Sequence, residues 1–147
     1  MIKSCVIGLS KVGIIHCESL IKIKNTSLNY IFDKNYNLSK QLSKKFKCNT
    51  SKDFNVILKK KDVQLFIIAS PTTTHEFYIK KLIKFKKMIY CEKPITNNNK
   101  KLKKLKNLIK KHKIKFCVGL NRRFAREYLI LKKNLKKRKI NHIQIIS

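Results

Sequence analysis

Short, continuously apolar runs alternate along this chain with longer segments in which apolar residues recur at helical spacing. The strands of a parallel sheet are buried on both faces, so they appear in a sequence as unbroken apolar runs. Strands that are separated by helical segments form a parallel sheet with crossover helices. We therefore predict an α/β fold whose strands lie at 4–8, 28–33, 63–70, 88–92 and 115–120.

Two of the segments between these strands carry apolar residues at the spacing of an amphipathic helix. Within 75–87 a broad apolar face is predicted for Phe77, Ile79, Leu82, Ile83 and Phe85. Within 97–113 a narrower stripe is predicted for Leu102, Leu105 and Ile109. Lysines occupy most of the other positions, and lysine is a fair helix former, so both segments are expected to pack one face on the sheet.

The stretch "GLSKVG" connects the first predicted strand to the segment after it and is similar to the dinucleotide-binding turn G-x-G-x-x-G. Gly8 and Gly13 occupy its first and third glycine positions, which make the tight bend and the close helix–strand contact. Ser10 replaces the second glycine, where the backbone approaches the pyrophosphate; its Cβ can obstruct the phosphates or its hydroxyl can donate to them. Lys11 and Val12 complete the turn, and the N–H groups that start the helix are available to an anion.

Asp33 closes the second predicted strand, twenty residues after Gly13. A carboxylate at this distance accepts hydrogen bonds from the adenosine ribose hydroxyls of a bound dinucleotide. The alternative interpretation of Asp33 is a plain turn aspartate. Because a carboxylate disfavours a 2′-phosphate, Asp33 points to NAD, whereas the neighbouring Lys34 leaves NADP open.

Three further stretches, "IIASPTTTHEFYI", "YCEKPIT" and "VGLNRRF", extend this pattern. Together with the glycine turn, and in the same order, they resemble the Gfo/Idh/MocA family of oxidoreductases, and within it the inositol 2-dehydrogenases. The resemblance implies a Rossmann-like, doubly wound parallel sheet and a cofactor that is NAD or NADP. It also implies hydride transfer between a polyol or sugar carbinol and the nicotinamide, in a homo-oligomer, although oligomerisation is doubtful for a chain of this length.

The resemblance further implies cofactor contacts at matching positions, namely Ser70, Pro71, Thr72, His75, Glu92, Lys93, Pro94, Asn121 and Arg122. Lys93 is the implied catalytic residue, because in such enzymes this cation reaches the nicotinamide and the substrate hydroxyl. His75 is expected to start the helix after its loop. The alternative interpretation makes His75 a surface residue behind a helix cap formed by Thr74 and its neighbours. Pro94 is expected in a restrained turn at the carboxyl end of its strand.

Family members continue into a second α/β domain that contributes a D-x-x-x-H pair, in which the histidine is the general acid and base. No acidic residue follows Glu127 in this chain, and His142 stands alone among isoleucines. We therefore expect a dinucleotide-binding domain over 1–121. Over 122–147 we expect a connecting helix, predicted at 126–139, and the first strand of a missing second domain. On this hypothesis the chain is a fragment or truncated product that binds the dinucleotide and catalyses little.

The formal net charge of +30 would usually indicate nucleic acid or an anionic membrane as a partner. Here the lysines are scattered over every segment, and only four of the 37 basic residues are arginine. Lys, Asn and Ile have A/T-rich codons, so we interpret the charge mainly as a base-composition bias of the gene. We expect neither nucleic acid nor membrane as a partner. A basic nucleic-acid-binding module and a degenerate, non-functional remnant are the alternative hypotheses.

The five cysteines form neither a C-x-x-C pair nor a cluster with metal-ligand spacing, so no metal site is predicted. Cys5, Cys91 and Cys117 lie inside apolar runs and are expected to be buried. Unpaired cysteines are typical of a reducing compartment, and neither a signal peptide nor an apolar run of about 18 residues is present. These features favour a cytoplasmic location.

Overall fold

The computed structural model describes residues 1–135, and within them five strands form one sheet in which every pairing is parallel. The strands are β1 (Ile2–Ile7), β2 (Thr26–Phe32), β3 (Leu65–Ile68), β4 (Met88–Cys91) and β5 (Phe116–Val118). Each of them falls on a predicted strand, so the predicted α/β fold is confirmed. The spatial order is β2-β1-β3-β4-β5, so the chain winds outward from β1 in both directions, as in a doubly wound sheet.

Helices connect these strands, and a short 3-10 helix, Asn121–Phe124, follows β5. The α-helices are α1 (Lys11–Lys22), α2 (Tyr36–Phe46), α3 (Phe54–Leu58), α4 (Thr72–Lys84), α5 (Asn99–Lys111) and α6 (Arg126–Leu135). The helix predicted over 126–139 is confirmed as far as its residues are described. The strand predicted over 140–147 lies outside the described residues. No helix in the described part of the chain has the length and apolar character that crossing a bilayer requires.

Two apolar layers form the core, one on each face of the sheet. Side chains of α3, α4 and α5 make the larger layer, which includes Ile79, Leu82 and Leu105. Side chains of α1 and α2 make the other layer, which includes Leu20 and Leu42. Successive residues of each strand point to opposite faces, so the inner strands need apolar side chains at almost every position. Full burial of one large aliphatic side chain stabilises the fold by about 1.5–3 kcal/mol.

The inward face of α4 differs from the predicted face. Phe77 and Phe85 are 55% and 42% exposed, whereas Tyr78 and His75 are buried beside Ile79. The reason is the helical spacing. The buried residues of α4 recur at intervals of three and four from His75, through Tyr78 and Ile79 to Leu82 and Ile83. Phe77 and Phe85 each lie two positions from a buried isoleucine, and residues two apart do not share a face of a helix. In α5, Leu105 is buried as predicted and Ile109 packs against the core, whereas Leu102 is 37% exposed.

The prediction that Cys117 is buried is wrong. Its strand β5 is only three residues long and lies at the edge of the sheet, so it has one neighbouring strand. The Cys117 side chain is exposed, whereas Cys5 and Cys91 are fully buried as predicted.

We expect Cys117 alone to react rapidly with Ellman's reagent in the native protein at pH 8. Burial raises the pKa of both Cys17 and Cys91 to about 12 and that of Cys48 to about 11, and it also raises the pKa of Cys5. The thiolate is the reactive form, so these four thiols are expected to react slowly until urea unfolds the chain. Cys117→Ser is expected to remove the rapid phase. A second rapid thiol in the native protein would contradict the described packing.

Candidate functional site

A cleft of about 590 Å³ opens at the carboxyl edge of the sheet. Its walls include Gly8 and Ser10 after β1, Asp33 after β2, and Ser70 and Pro71 after β3. The sheet order reverses beside β1, and ligands of open α/β sheets bind outside the carboxyl ends of the strands at such a point. The fold therefore brings together residues that the sequence analysis assigned to one ligand from three separate stretches.

The two glycines of the first turn are required by its geometry. Gly8 has a φ of +89°, and a Cβ built on it would lie 2.5 Å from the backbone nitrogen and Cα of Ser70. A Cβ on Gly13 would collide with the carbonyl oxygen of Gly8. The backbone of the turn thus lies in close contact with both the β3 loop and the first turn of α1, with no room for a Cβ at either glycine.

Ser10 occupies the N-cap position of α1 in an extended conformation, with a φ of −67°. This conformation is open to any L-residue, so the replacement of glycine by serine introduces no backbone strain. The Ser10 side chain makes no capping hydrogen bond to α1, and the residue is exposed in the wall of the cleft. Lys11 and Val12 are exposed in the first turn of α1, beside it.

The Asp33 carboxylate connects the end of β2 to the glycine turn. Its Oδ2 accepts a hydrogen bond of 2.8 Å from the backbone N–H of Leu9, and its Oδ1 accepts one of 2.9 Å from the N–H of Asn35. The second bond is the one expected of a turn aspartate, but the first crosses to the neighbouring strand end. Each carboxylate oxygen can accept further hydrogen bonds, so the group is oriented and still has acceptor capacity towards the cleft.

The loop after β3 is held by its own hydroxyl groups and by a buried histidine. Ser70 Oγ lies 2.7 Å from Thr74 Oγ1, which donates to the carbonyl oxygen of Pro71. His75 is 1% exposed, so the interpretation of His75 as a surface residue is wrong. Its Nε2 lies 2.7 Å from the Ser70 carbonyl oxygen, and its Nδ1 lies 3.0 Å from that of Pro94. The imidazole therefore joins the β3 loop to the turn after β4.

The turn after β4 contains Glu92, Lys93 and Pro94. The Glu92 N–H donates to the carbonyl oxygen of Ile68, and the Lys93–Pro94 peptide bond is cis. Lys93 and Pro94 are exposed. The Glu92 carboxylate lies 2.8 Å from Nε2 of His16 on α1. Sequence reasoning assigned no role to His16.

The remaining predicted site residues follow β5. Asn121 and Arg122 are exposed in the 3-10 helix, where the Asn121 side chain accepts a hydrogen bond from the Arg122 N–H. They lie at the carboxyl edge of the sheet but do not line the cleft, and neither do Thr72, His75, Glu92, Lys93 or Pro94. The cleft is completed by Lys34, whose only predicted bearing was on NADP, and by residues with no predicted cofactor contact, namely Leu9, Leu38, Ala69, Thr73, Thr74 and Tyr78.

Comparison with curated proteins supports the resemblance seen in the sequence. The myo-inositol 2-dehydrogenase of Thermotoga maritima is 30% identical over 128 residues, which are 86% of this chain and 38% of that protein. The inositol 2-dehydrogenase of Acidothermus cellulolyticus is 29% identical over 139 residues, which are 92% of this chain and 41% of that protein. The chain thus spans about two fifths of the length of these curated relatives.

Solved structures have the same fold. A probable dehydrogenase from Thermotoga maritima superposes with a TM-score of 0.87 at 29% identity, over 92% of this chain and 41% of that one. The scyllo-inositol dehydrogenase of Lactobacillus casei, solved with NAD(H) and scyllo-inositol, has a TM-score of 0.87 over 93% of this chain and 41% of its own. At 24% identity, this second likeness is one of fold.

A family model, described as an oxidoreductase family with an NAD-binding Rossmann fold, matches residues 2–120. This match includes all five strands of the sheet and every residue that lines the cleft. The chain belongs to the Gfo/Idh/MocA family of oxidoreductases and contains its NAD-binding Rossmann domain.

Proposed function

We propose that this chain binds NAD in the cleft at the carboxyl edge of the sheet, as the cofactor domain of an oxidoreductase of the inositol 2-dehydrogenase type. The observation that carries the proposal is the Asp33 carboxylate, which the Leu9 N–H orients beside the glycine turn. An oriented acceptor at the end of the second strand suits the two hydroxyls of an adenosine ribose.

The cleft has the size of a small-molecule site. Its volume of about 590 Å³ lies within the range of ~300–1,000 Å³ that is usual for small-molecule sites. The backbone at Gly8 and the first turn of α1 would hold the pyrophosphate, with the Ser10 hydroxyl within the same wall. Asp33 would repel a 2′-phosphate, which favours NAD, and the adjacent Lys34 makes NADP the second candidate.

Lys93 is the residue that we assign to the chemistry. When bound, NAD supplies a nicotinamide C4 that accepts a hydride from a carbinol carbon. Lys93 follows β4 at the carboxyl edge, where its cation would orient the hydroxyl of a polyol or sugar and favour the developing alkoxide. Asn121 and Arg122, after the next strand, are proposed to border the same site.

We assign residues 1–121 to the cofactor domain and 122–147 to a connection towards a substrate domain. The 147 residues contain no D-x-x-x-H pair. Without a positioned general base, hydride transfer loses a factor of roughly 10²–10⁴. We therefore propose cofactor binding with little or no turnover for this chain by itself. Its unpaired cysteines favour the cytoplasm as its location.

A titration of the 147-residue chain with NADH tests this function. We expect a saturable change in NADH fluorescence that ADP displaces, tighter binding of NADH than of NADPH, and no NAD reduction with myo-inositol. Absence of saturable NADH and ADP binding would refute the proposal.

The same preparation tests the alternative of a basic nucleic-acid-binding module, using a labelled polynucleotide at increasing salt. Binding carried by the lysines would fall steeply with salt whatever the nucleotide sequence. Tight polynucleotide binding together with no NADH binding would favour that alternative.

A further inference from the structure

A polar cluster lies behind the turn that contains Lys93, on the side of the sheet covered by α1. His16 Nε2 donates a hydrogen bond of 2.8 Å to Glu92 Oε1, and the two side chains are only 18% and 19% exposed. The His16 ring packs edge-on against Tyr90, with the ring centres 5.2 Å apart. Burial raises the pKa of Tyr90, and the negative charge of Glu92 raises it further.

Because Gly119 has no side chain, there is room beside it for this cluster. Gly119 is buried directly after β5, and a Cβ built on it would lie 2.9 Å from both Glu92 Oε1 and Tyr90 Oη. The carboxylate is therefore confined between α1 on one side and the end of β5 on the other.

The hydrogen bond between His16 and Glu92 connects two parts of the proposed cofactor site. His16 lies on α1, whose first turn carries Ser10 to Gly13. Glu92 immediately precedes Lys93, and its Oε2 lies 3.3 Å from the Lys93 backbone nitrogen. The helix that would hold the pyrophosphate is thus attached to the turn that would meet the nicotinamide.

We propose that His16 is a positioning residue that holds the Glu92 carboxylate and so fixes the Lys93 turn relative to α1. The inference rests on the proposed function, and it adds a residue that the cofactor does not touch. Without His16, the largely buried Glu92 carboxylate loses its hydrogen-bond partner. An unpaired buried carboxylate is destabilising, so the Glu92 side chain turns towards water. That movement breaks its contact with the Lys93 amide and loosens the nicotinamide end of the site only.

The test compares NADH with ADP, which has the adenosine and pyrophosphate but no nicotinamide. His16→Phe keeps a ring against Tyr90 and removes the hydrogen bond; we expect NADH to bind about tenfold more weakly, in line with one lost bond to a charged group. ADP affinity is expected to stay within about twofold of the original value, because the adenosine end is held by Asp33. His16→Gln restores a donor and is expected to recover most of the NADH affinity. His112→Phe, at the exposed end of α5, is the matched control and is expected to change neither affinity.

Each outcome is decisive. Equal losses of NADH and ADP affinity in His16→Phe would assign His16 a purely structural role and overturn the inference, as would no loss of either. If the original chain binds neither ligand, the proposed function itself fails. If His16→Phe does not fold, as judged by circular dichroism, Gly119→Ala takes its place. That change crowds the same carboxylate from the opposite side and is expected to weaken NADH binding selectively; unchanged NADH affinity in Gly119→Ala would overturn the inference.

Discussion

Replacing Gly13 with alanine is expected to abolish NADH binding and to lower the free energy of unfolding by at least ~2 kcal/mol. The added Cβ would collide with the carbonyl oxygen of Gly8, which is backbone and cannot rotate away. Relief requires α1 to move away from β1. Such a shift would carry the N–H groups of the first helical turn away from the pyrophosphate.

Urea unfolding and NADH titration measure these two effects. Ser19→Ala places the same residue on the exposed side of α1 and serves as the control. Because alanine is a better helix former than serine, this control is expected to bind NADH normally and to be no less stable. A Gly13→Ala variant with unchanged stability and NADH affinity would show that the turn is not packed as described.

Replacing Asp33 with alanine is expected to weaken NADH binding at least ~100-fold. Two ribose hydroxyls would each lose a hydrogen bond to a charged acceptor, and such bonds contribute about 1.5–3 kcal/mol each. The Leu9 N–H would also lose its acceptor, so the orientation of the glycine turn would suffer. ADP affinity is expected to fall with NADH affinity, because both ligands contain the adenosine. NADPH affinity is expected to fall less, since the repulsion of its 2′-phosphate disappears as well.

Asp62→Ala is the matched control for this change. It removes the same charge, but Asp62 is half exposed and pairs with Lys3 at the surface, away from the cleft. We expect it to leave NADH affinity within about twofold of the original value, since an exposed pair contributes little. Equal effects of Asp33→Ala and Asp62→Ala would reduce the role of Asp33 to its contribution to net charge, and would remove the main support for the proposed site.

The strands of the core could be predicted because buried positions carry apolar residues, which form recognisable runs in the sequence. Every position of β3 and β4 and the last four positions of β1 are buried or partly buried, and so these strands appear as apolar runs. Helices α2 and α3 were not identified from the apolar pattern. In α2 the stripe consists of Leu38, Leu42 and Phe46 at intervals of four, and of these only Leu42 is buried, whereas the other two pack partly buried against the core. The predicted inward face of α4 included Phe77 and Phe85 because they are apolar, although each lies two positions from a buried isoleucine and therefore faces another side of the helix.

The candidate site divides in the same way. Gly8 and Asp33 could be predicted because the turn they belong to requires particular residue types at fixed spacing. The sequence signal for His16 was weak, although it falls on the inner side of α1 with Gly13 and Leu20. Its partner Glu92 is 76 positions further along the chain, so nothing local identifies the pair. His75 was predicted as a site residue, but its contact with Pro94 depends on the packing of α4 beneath the β4 turn.

The amino-acid sequence by itself determined the α/β class, the positions of the five strands, the glycine turn and the family. Each of these depends on residue type and spacing within one short stretch, or on several such stretches in a fixed order. Only the tertiary structure decided that Asp33 orients towards the Leu9 N–H, that His75 is buried between two loops, and that His16 holds Glu92. Those contacts join residues that are distant in the chain, and their partners are defined only when parallel strands place their carboxyl ends along one edge of the sheet.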